Sequence, residues 1–255
     1  MRSPRVSPSV ICYADPRKHK SPKWCGVFAA GCGGRVERAG RLRDGPAALY
    51  GSPRLWHIVR ALQADGRPWW YADHGYLGQG FYRVTRGALQ LSALDQGAPA
   101  CSARLRCLGV QIEPWRVGGR HILVCPPGEV FARLNGFDAG QWRREILSEL
   151  KQATDRPIVV RPKETRLTQP LAEDLRDAHA LVAYTSNAAG EAVLAGVPVF
   201  VTGACAALPM GRSDLSMIES PAQPDGRERW AAWLAANQWN LKETRAGACW
   251  RAIGN

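Results

Sequence analysis

Two hydrophobic rhythms alternate along this chain, and the places where one gives way to the other mark its elements. Residues 10–13, 47–50 and 68–72 are short apolar runs bounded by glycine, proline or charge, which predicts buried strands. Residues 24–30 form another apolar run and predict a further strand, ending in the turn Gly31-Cys32-Gly33-Gly34. Leu55, Ile58, Val59 and Leu62 recur at i, i+3, i+4 and i+7, the stripe of one amphipathic helix. The second half repeats the alternation. Residues 121–125 and 157–160 read as strands, the latter buried; Trp142, Ile146 and Leu150 mark a helix, and 171–177 a short one. Trp230, Trp233 and Leu234 share a helical face, and Asn240 with Glu243 has capping-box spacing.

Residues 181–202, LVAYTSNAAGEAVLAGVPVFVT, carry the most information. An apolar run meets the polar turn Thr185-Ser186-Asn187. A helix of small residues carrying Glu191 follows, and Gly196-Val197-Pro198 restarts an apolar run. Strand, loop, helix and strand in this order make a βαβ unit with a parallel crossover. Ser186 or Asn187 is placed to cap the helix and Gly196 to end it. The free amides and positive dipole end at such a start form an anion site. Glu191, about one turn on, could reach a ribose hydroxyl while the amides hold a diphosphate.

Other chemistry-bearing residues fall at predicted strand ends, where open α/β sheets gather their ligands. Arg161 and Lys163 follow the strand at 157–160 and could neutralise a departing nucleoside diphosphate without a metal. Asp73 and His74 follow the strand at 68–72, and either could take a proton from an acceptor hydroxyl; Asp73 is the first choice of base and His74 the rival. The plain alternative is a strand-end turn. Trp69, Trp70, Tyr71, Tyr76, Phe81 and Tyr82 surround the spot as core or as stacking surface, and Tyr76, Arg83 and Arg86 are candidates to contact an acceptor or nucleic acid. Gly31-Cys32-Gly33-Gly34 is GxGG, short of a dinucleotide fingerprint. The pattern predicts an α/β fold of two Rossmann-like parallel-sheet domains facing a cleft. The first is placed at 1–110 for an acceptor. The second, at 111–255, is for a nucleotide-sugar donor, its C-terminal helix returning to the first; the connection lies within 96–119.

The set Ser186-Asn187, Glu191-Ala192 and Gly196-x-Pro198 resembles the C-terminal signature of GT-B-type glycosyltransferases, over about residues 119–250. That resemblance implies a nucleotide-sugar donor (a UDP-sugar or similar), with Ser186 and Asn187 at the diphosphate and Glu191 at the ribose. The chain departs from that family in length and in Ser186-Asn187-Ala188-Ala189, where a glycine pair is usual. Its size, charge and the pattern YADHGY, FYRVTR, NQW are similar to small bacteriophage glycosyltransferases, which implies transfer to hydroxymethylated bases of duplex DNA.

Composition narrows this further. The 255 residues carry a formal net charge of +12, with 34 Lys and Arg against 22 Asp and Glu. Much of the excess precedes residue 61, including Arg2 and Arg5, and such a field attracts polyanions. No DNA-reading motif accompanies it. Eight cysteines without a CxxC pair match no zinc site, so no metal is expected, and a reduced, cytoplasmic setting is favoured. No apolar run of about 18 residues predicts a membrane span, and the N-terminus does not read as a secretory signal. Three functions follow: a transferase acting on modified DNA, one acting on a surface glycan or small molecule, and a non-enzymatic nucleic-acid-binding module.

Overall fold

The computed structural model describes residues 9–254, with the side chains of residues 166 and 167 also left aside; Arg2 and Arg5 of the basic segment lie outside the described residues. The chain forms two compact units. Unit 1 holds residues up to 89, residues 96–100 and residues 233–255; unit 2 holds 90–95 and 101–232. Residues 101–110, read above with the first half, therefore pack with the second.

Unit 1 contains strands β1 (Ile11–Ala14), β2 (Arg35–Arg38), β3 (Ala47–Tyr50), β4 (Trp69–His74) and β5 (Tyr82–Arg86), with helices α1 (Lys20–Cys32) and α2 (Trp56–Asp65). Unit 2 follows with α3 (Ser102–Cys107), β6 (His121–Cys125), α4 (Glu129–Leu134), α5 (Ala139–Ala153), β7 (Ile158–Val160), α6 (Leu171–Leu175), β8 (Ala178–Ala183), α7 (Asn187–Leu194), β9 (Val199–Val201) and β10 (Gly211–Arg212). Helix α8 (Arg227–Ala236) leads the chain back to unit 1, which ends with β11 (Gln238–Trp239), α9 (Leu241–Arg245) and α10 (Ala248–Ile253). No helix among the described residues is long and apolar enough to cross a membrane.

The first sheet has the order β11-β5-β4-β3-β1-β2, and β2, β1, β3 and β4 are parallel. The second has the order β10-β9-β8-β6-β7, all parallel. Each therefore reverses direction between its first and third strands, β1/β3 and β6/β8. This is the point where doubly wound sheets open a crevice at their carboxyl edge. Both sheets are covered on both faces: in unit 1 Cys12, Ala48, Tyr50 and Trp70 pack with Trp24 and Phe28, while the alternate residues Ile11, Tyr13 and Leu49 are equally buried. In unit 2 Ile122, Val124, Val182 and Phe200 pack with Trp142, Ile146 and Leu150 of α5, and Leu123, Leu181 and Val199 fill the other face.

Residues 24–30 are helical, not a strand. Trp24, Cys25, Phe28 and Ala29 are buried at helical spacing, and Trp24 stacks on Phe28 one turn on at 4.6 Å. Pro22 sits in the first turn, where its missing N–H costs nothing. Gly33, at φ 68°, ends the helix in the left-handed conformation, so the GxGG segment is a helix stop. The strand at 157–160 is an edge strand rather than a buried one, with β6 its sole partner among the described residues and Val159 half out. The capping box at Asn240 and Glu243 forms, each accepting from the other's amide.

Candidate active site

In unit 2 the wholly buried β8 runs into Tyr184-Thr185-Ser186. Ser186 is extended, and its Oγ accepts from the Ala188 amide at 3.1 Å, so it is the N-cap and Asn187 the first helical residue. Ala189, Ala192 and Val193 bury one face of α7. Glu191 stands on its second turn. Loss of solvation pushes the Glu191 carboxyl above its ordinary value, and the nearby charge of Arg161 works against that.

Arg161 takes the first position after β7, its amide donating to the Val124 carbonyl at 2.8 Å. Its buried guanidinium is already matched: it pairs with Asp174 of α6 and donates to the Gln169 carbonyl. Gln169 Nε2 donates in turn to Asp174 at 2.6 Å. Cys125, ending β6, feels Arg161, Asp174 and Glu191 together, and burial pushes its thiol up to about 12. Lys163 is exposed and lies over the backbone of Gly128, where an added Cβ would sit 3.3 Å from its Cδ. Thus Arg161, Lys163, Ser186, Asn187 and Glu191 all belong to one carboxyl edge, around the β6/β8 crevice.

An aromatic group at this edge escaped the sequence reading. Tyr184 packs with Phe137 at 4.5 Å and with Phe131 and Trp142 at 6.4 Å, and Trp142 donates to Thr202 Oγ1 at 3.0 Å. Gly203 admits the Tyr184 ring, which would lie 2.8 Å from a Cβ there. Phe131 and Phe137 keep no strict period with Trp142, which hid them.

In unit 1 Asp73 and His74 are the last residues of β4. The Asp73 carboxylate is engaged twice, accepting from the His74 amide at 2.8 Å and from Arg83 Nη2 at 3.2 Å. Arg83 stands opposite Asp73 in the antiparallel β4/β5 ladder, is 3% exposed, and also donates to the His74 carbonyl at 2.9 Å. It is therefore a buried partner of Asp73. Its guanidinium lies 5.8 Å from the Tyr76 ring, and Arg86 lies equally far from Trp70, opposite it in the ladder. The His74 ring stays exposed beside Tyr50 at 6.4 Å. Partial desolvation lowers its pKa below the ordinary value; Asp73 opposes this, while Lys20, Arg83 and Lys18 add to it.

The β1/β3 crevice holds a second cluster that the sequence reading missed. Asp15 follows β1 and is almost wholly buried. It accepts from the Ser52 hydroxyl at 2.6 Å and the Arg17 amide at 3.0 Å, with Arg54 at 3.7 Å. Burial acts to raise its pKa, but these donors and charges outweigh it and hold the carboxyl below the usual value. Lys18 donates to the Gly51 carbonyl and lies 5.1 Å from the Tyr50 ring centre. Asp15 was hidden because one carboxylate among basic residues carries no periodic signal. Among the described residues, no group of His, Cys, Asp and Glu has the geometry of a metal site.

No protein-family model matches the chain, and no curated protein matches it closely enough to count as a relative. Among solved structures it is similar to two chains of KpsC from Thermosulfurimonas dismutans. With the beta Kdo 2,4 transferase it shares 12% identity at a TM-score of 0.52, over 89% of each chain. With the beta Kdo 2,7 transferase it shares 12% identity at 0.53, over 95% of this chain and 99% of that one. At this identity the similarity establishes the fold: an α/β, GT-B-like pair of Rossmann-like domains, as the sequence pattern predicts.

Proposed function

We propose that the protein is a glycosyltransferase that moves a sugar from a nucleotide-sugar donor to a hydroxyl of a glycan. The observation carrying this reading is the convergence, at one carboxyl edge of a doubly wound unit, of a capped helix start, Glu191, Arg161 and Lys163. The transferase names of the two similar structures agree with it. Unit 2 holds the donor. The positive end of α7, with Asn187 at its first position, takes the phosphate, and Glu191 takes a ribose hydroxyl. Because Arg161 is spent on Asp174, Lys163 is the cation that answers the charge of the departing nucleotide.

Unit 1 supplies the base. The ion pair of Asp73 with Arg83 shifts the role to His74, whose depressed pKa leaves the imidazole neutral at pH 7. His74 takes the acceptor hydroxyl proton as that oxygen bonds to the anomeric carbon; the bond from that carbon to the phosphate oxygen breaks, and the nucleotide leaves with the electron pair. No metal has a role in this scheme. Mass spectrometry of glycan acceptors incubated with the protein and a panel of nucleotide sugars tests it: a single hexose or sugar-acid mass increment is expected, and no transfer from any donor would refute it.

The net charge of +12 supports a second acceptor, a hydroxymethylated base of duplex DNA. The same incubation with such DNA, read by nucleoside mass spectrometry, decides between them. Under the DNA reading, affinity for the duplex falls steeply with salt, because bound phosphates release counterions.

A further inference from the structure

Helix α1 joins the parallel strands β1 and β2 and packs back on their sheet. The strand face turned toward it carries Val10, Cys12 and Ala14, and the helix answers with Trp24, Cys25, Phe28 and Ala29. Cys32, the last residue of α1, packs against the same cluster but stays partly exposed, because the chain leaves the core at the exposed Gly33. Two cysteines far apart in sequence, one in the strand and one at the helix end, thus share one layer.

Gly34 shows how closely they approach. Its backbone lacks the positive φ that makes Gly33 a helix stop. What requires glycine there is space: an added Cβ would stand 2.4 Å from the Val10 carbonyl oxygen and 3.0 Å from Cys32 Sγ. The missing side chain lets the Cys32 sulfur sit beside the start of β1, and Cys12 is the next residue of β1 on that face. Cys32 Sγ donates to the Ala29 carbonyl at 3.7 Å, and the Cys12 and Cys32 thiols meet in a side-chain hydrogen bond. Side chains whose sulfurs touch point toward each other, the first requirement of a disulfide.

Neighbouring thiols of the same layer are inert. Cys25 donates to the Tyr13 carbonyl at 3.3 Å, and burial pushes its thiol up to about 12. Burial likewise holds Cys249, in α10, well above its ordinary value. Cys32 differs from both: the hydrogen bond from Cys12 lowers its pKa, burial opposes this, and the Gly34 amide adds to the lowering. The shared proton stays on Cys12, whose thiol is held up by the Cys32 contact and by burial. A thiolate-leaning, partly exposed sulfur beside a second thiol is the arrangement of an oxidisable pair.

We propose that Cys32 is a site of reversible oxidation by hydroperoxides, with Cys12 closing the oxidised form to a Cys12–Cys32 disulfide. The Cys32 thiolate attacks one peroxide oxygen, the O–O bond breaks, and hydroxide leaves with the electron pair, giving a sulfenic acid. The Cys12 sulfur then attacks the Cys32 sulfur, the S–O bond breaks, and the departing hydroxide takes the Cys12 proton as water. Two thiols lose two electrons and hydrogen peroxide becomes two waters. The bond ties the end of α1 to β1, which constrains the unfolded chain and so stabilises the fold.

Peptide mass spectrometry of the reduced full chain, treated with hydrogen peroxide and then blocked with N-ethylmaleimide, tests this. The peptides of Cys12 and Cys32 should appear joined, two hydrogens lighter than their sum, and dithiothreitol should separate them. Oxidation should raise Tm by several degrees, and dithiothreitol should reverse the shift. Cys32→Ser, a change at a partly exposed position, should abolish both the link and the Tm shift and leave Cys12 reduced. In Cys12→Ala the sulfenic acid of Cys32 should persist and be captured by dimedone; the wild-type link and Cys32→Ser decide the matter if that variant does not fold. Cys32 left intact while the exposed Cys107 is oxidised overturns the proposal. So does a link from Cys32 to Cys249, or oxidation of Cys32 to the sulfinic acid without any link.

Discussion

At the carboxyl edge of the second sheet, the buried cation Arg161 is matched inside the fold by Asp174, and the groups gathered beside it are the capped start of α7, Glu191 and Lys163. At the corresponding edge of the first sheet the cations Lys18 and Lys20 gather at a helix start, beside a buried Tyr50 hydroxyl and the His74 ring. Both sheets run their parallel strands in the same order around the switch, so topology alone does not separate them. What separates them is how charge is handled. One edge offers a helix start and a single exposed cation, suited to holding a phosphate. The other concentrates side-chain cations around a proton acceptor, suited to taking a proton from an acceptor hydroxyl.

The contrast breaks most visibly at His74. Replacing His74 by Gln should lower kcat about 10²–10⁴-fold, the range for loss of a positioned base, with nucleotide affinity unchanged in calorimetry. Turnover within a factor of a few of wild type would move the base elsewhere. Asp73→Asn should act differently, through the imidazole. Asp73 raises the His74 pKa against the lowering by desolvation, Lys20, Arg83 and Lys18. With the neutral ring as base, activity falls as pH drops through that pKa, below the ordinary value near 6.5. Removing Asp73 should therefore slide the acid limb of the kcat profile to lower pH, and a shift to higher pH would contradict the assignment.

On the donor side, Arg161 and Lys163 should part company. Arg161→Ala leaves the part-buried Asp174 without its cation and should cost about 3 kcal/mol of stability, read as a fall in Tm. Lys163→Ala should leave Tm in place and lower kcat about tenfold, the cost of about 1.4 kcal/mol of transition-state stabilisation. Equal effects of the two on Tm would mean that Lys163 is structural too. Smallest is the cap: Ser186→Ala should cost about 1 kcal/mol of stability through one lost amide partner.

These differences track what the sequence discloses. The donor edge is legible because its chemistry is local: cap, helix start and Glu191 lie within a few residues, and the flanking apolar runs are buried strands in the expected βαβ order. Arg161 was found by its place at a strand end, but its pairing with Asp174, thirteen positions on, needed the fold. The acceptor edge is built from β1, β3, β4 and α1, and no local pattern joins Asp15 to Ser52 or Lys18 to Tyr50. The apolar run 24–30 reads equally well as strand or helix when only its hydrophobicity is weighed; the spacing of Trp24 and Phe28 decides it. The edge strand Arg35–Arg38 carries Val36 as its one apolar residue among charges, and residues on both its faces meet solvent.

The central claim is that unit 2 holds a nucleotide at the start of α7 with Glu191 on its ribose. Calorimetric titration of the full chain with a panel of nucleoside mono- and diphosphates, repeated with Glu191→Ala and with the 2′-deoxy forms, tests it most directly. The account predicts binding of at least one nucleotide by the wild type and a loss of about tenfold in Glu191→Ala, about 1.4 kcal/mol. It also predicts a similar loss for the deoxynucleotide, with no further loss when the two changes are combined. Undiminished nucleotide affinity in Glu191→Ala, or no nucleotide binding by the folded wild type, would contradict it.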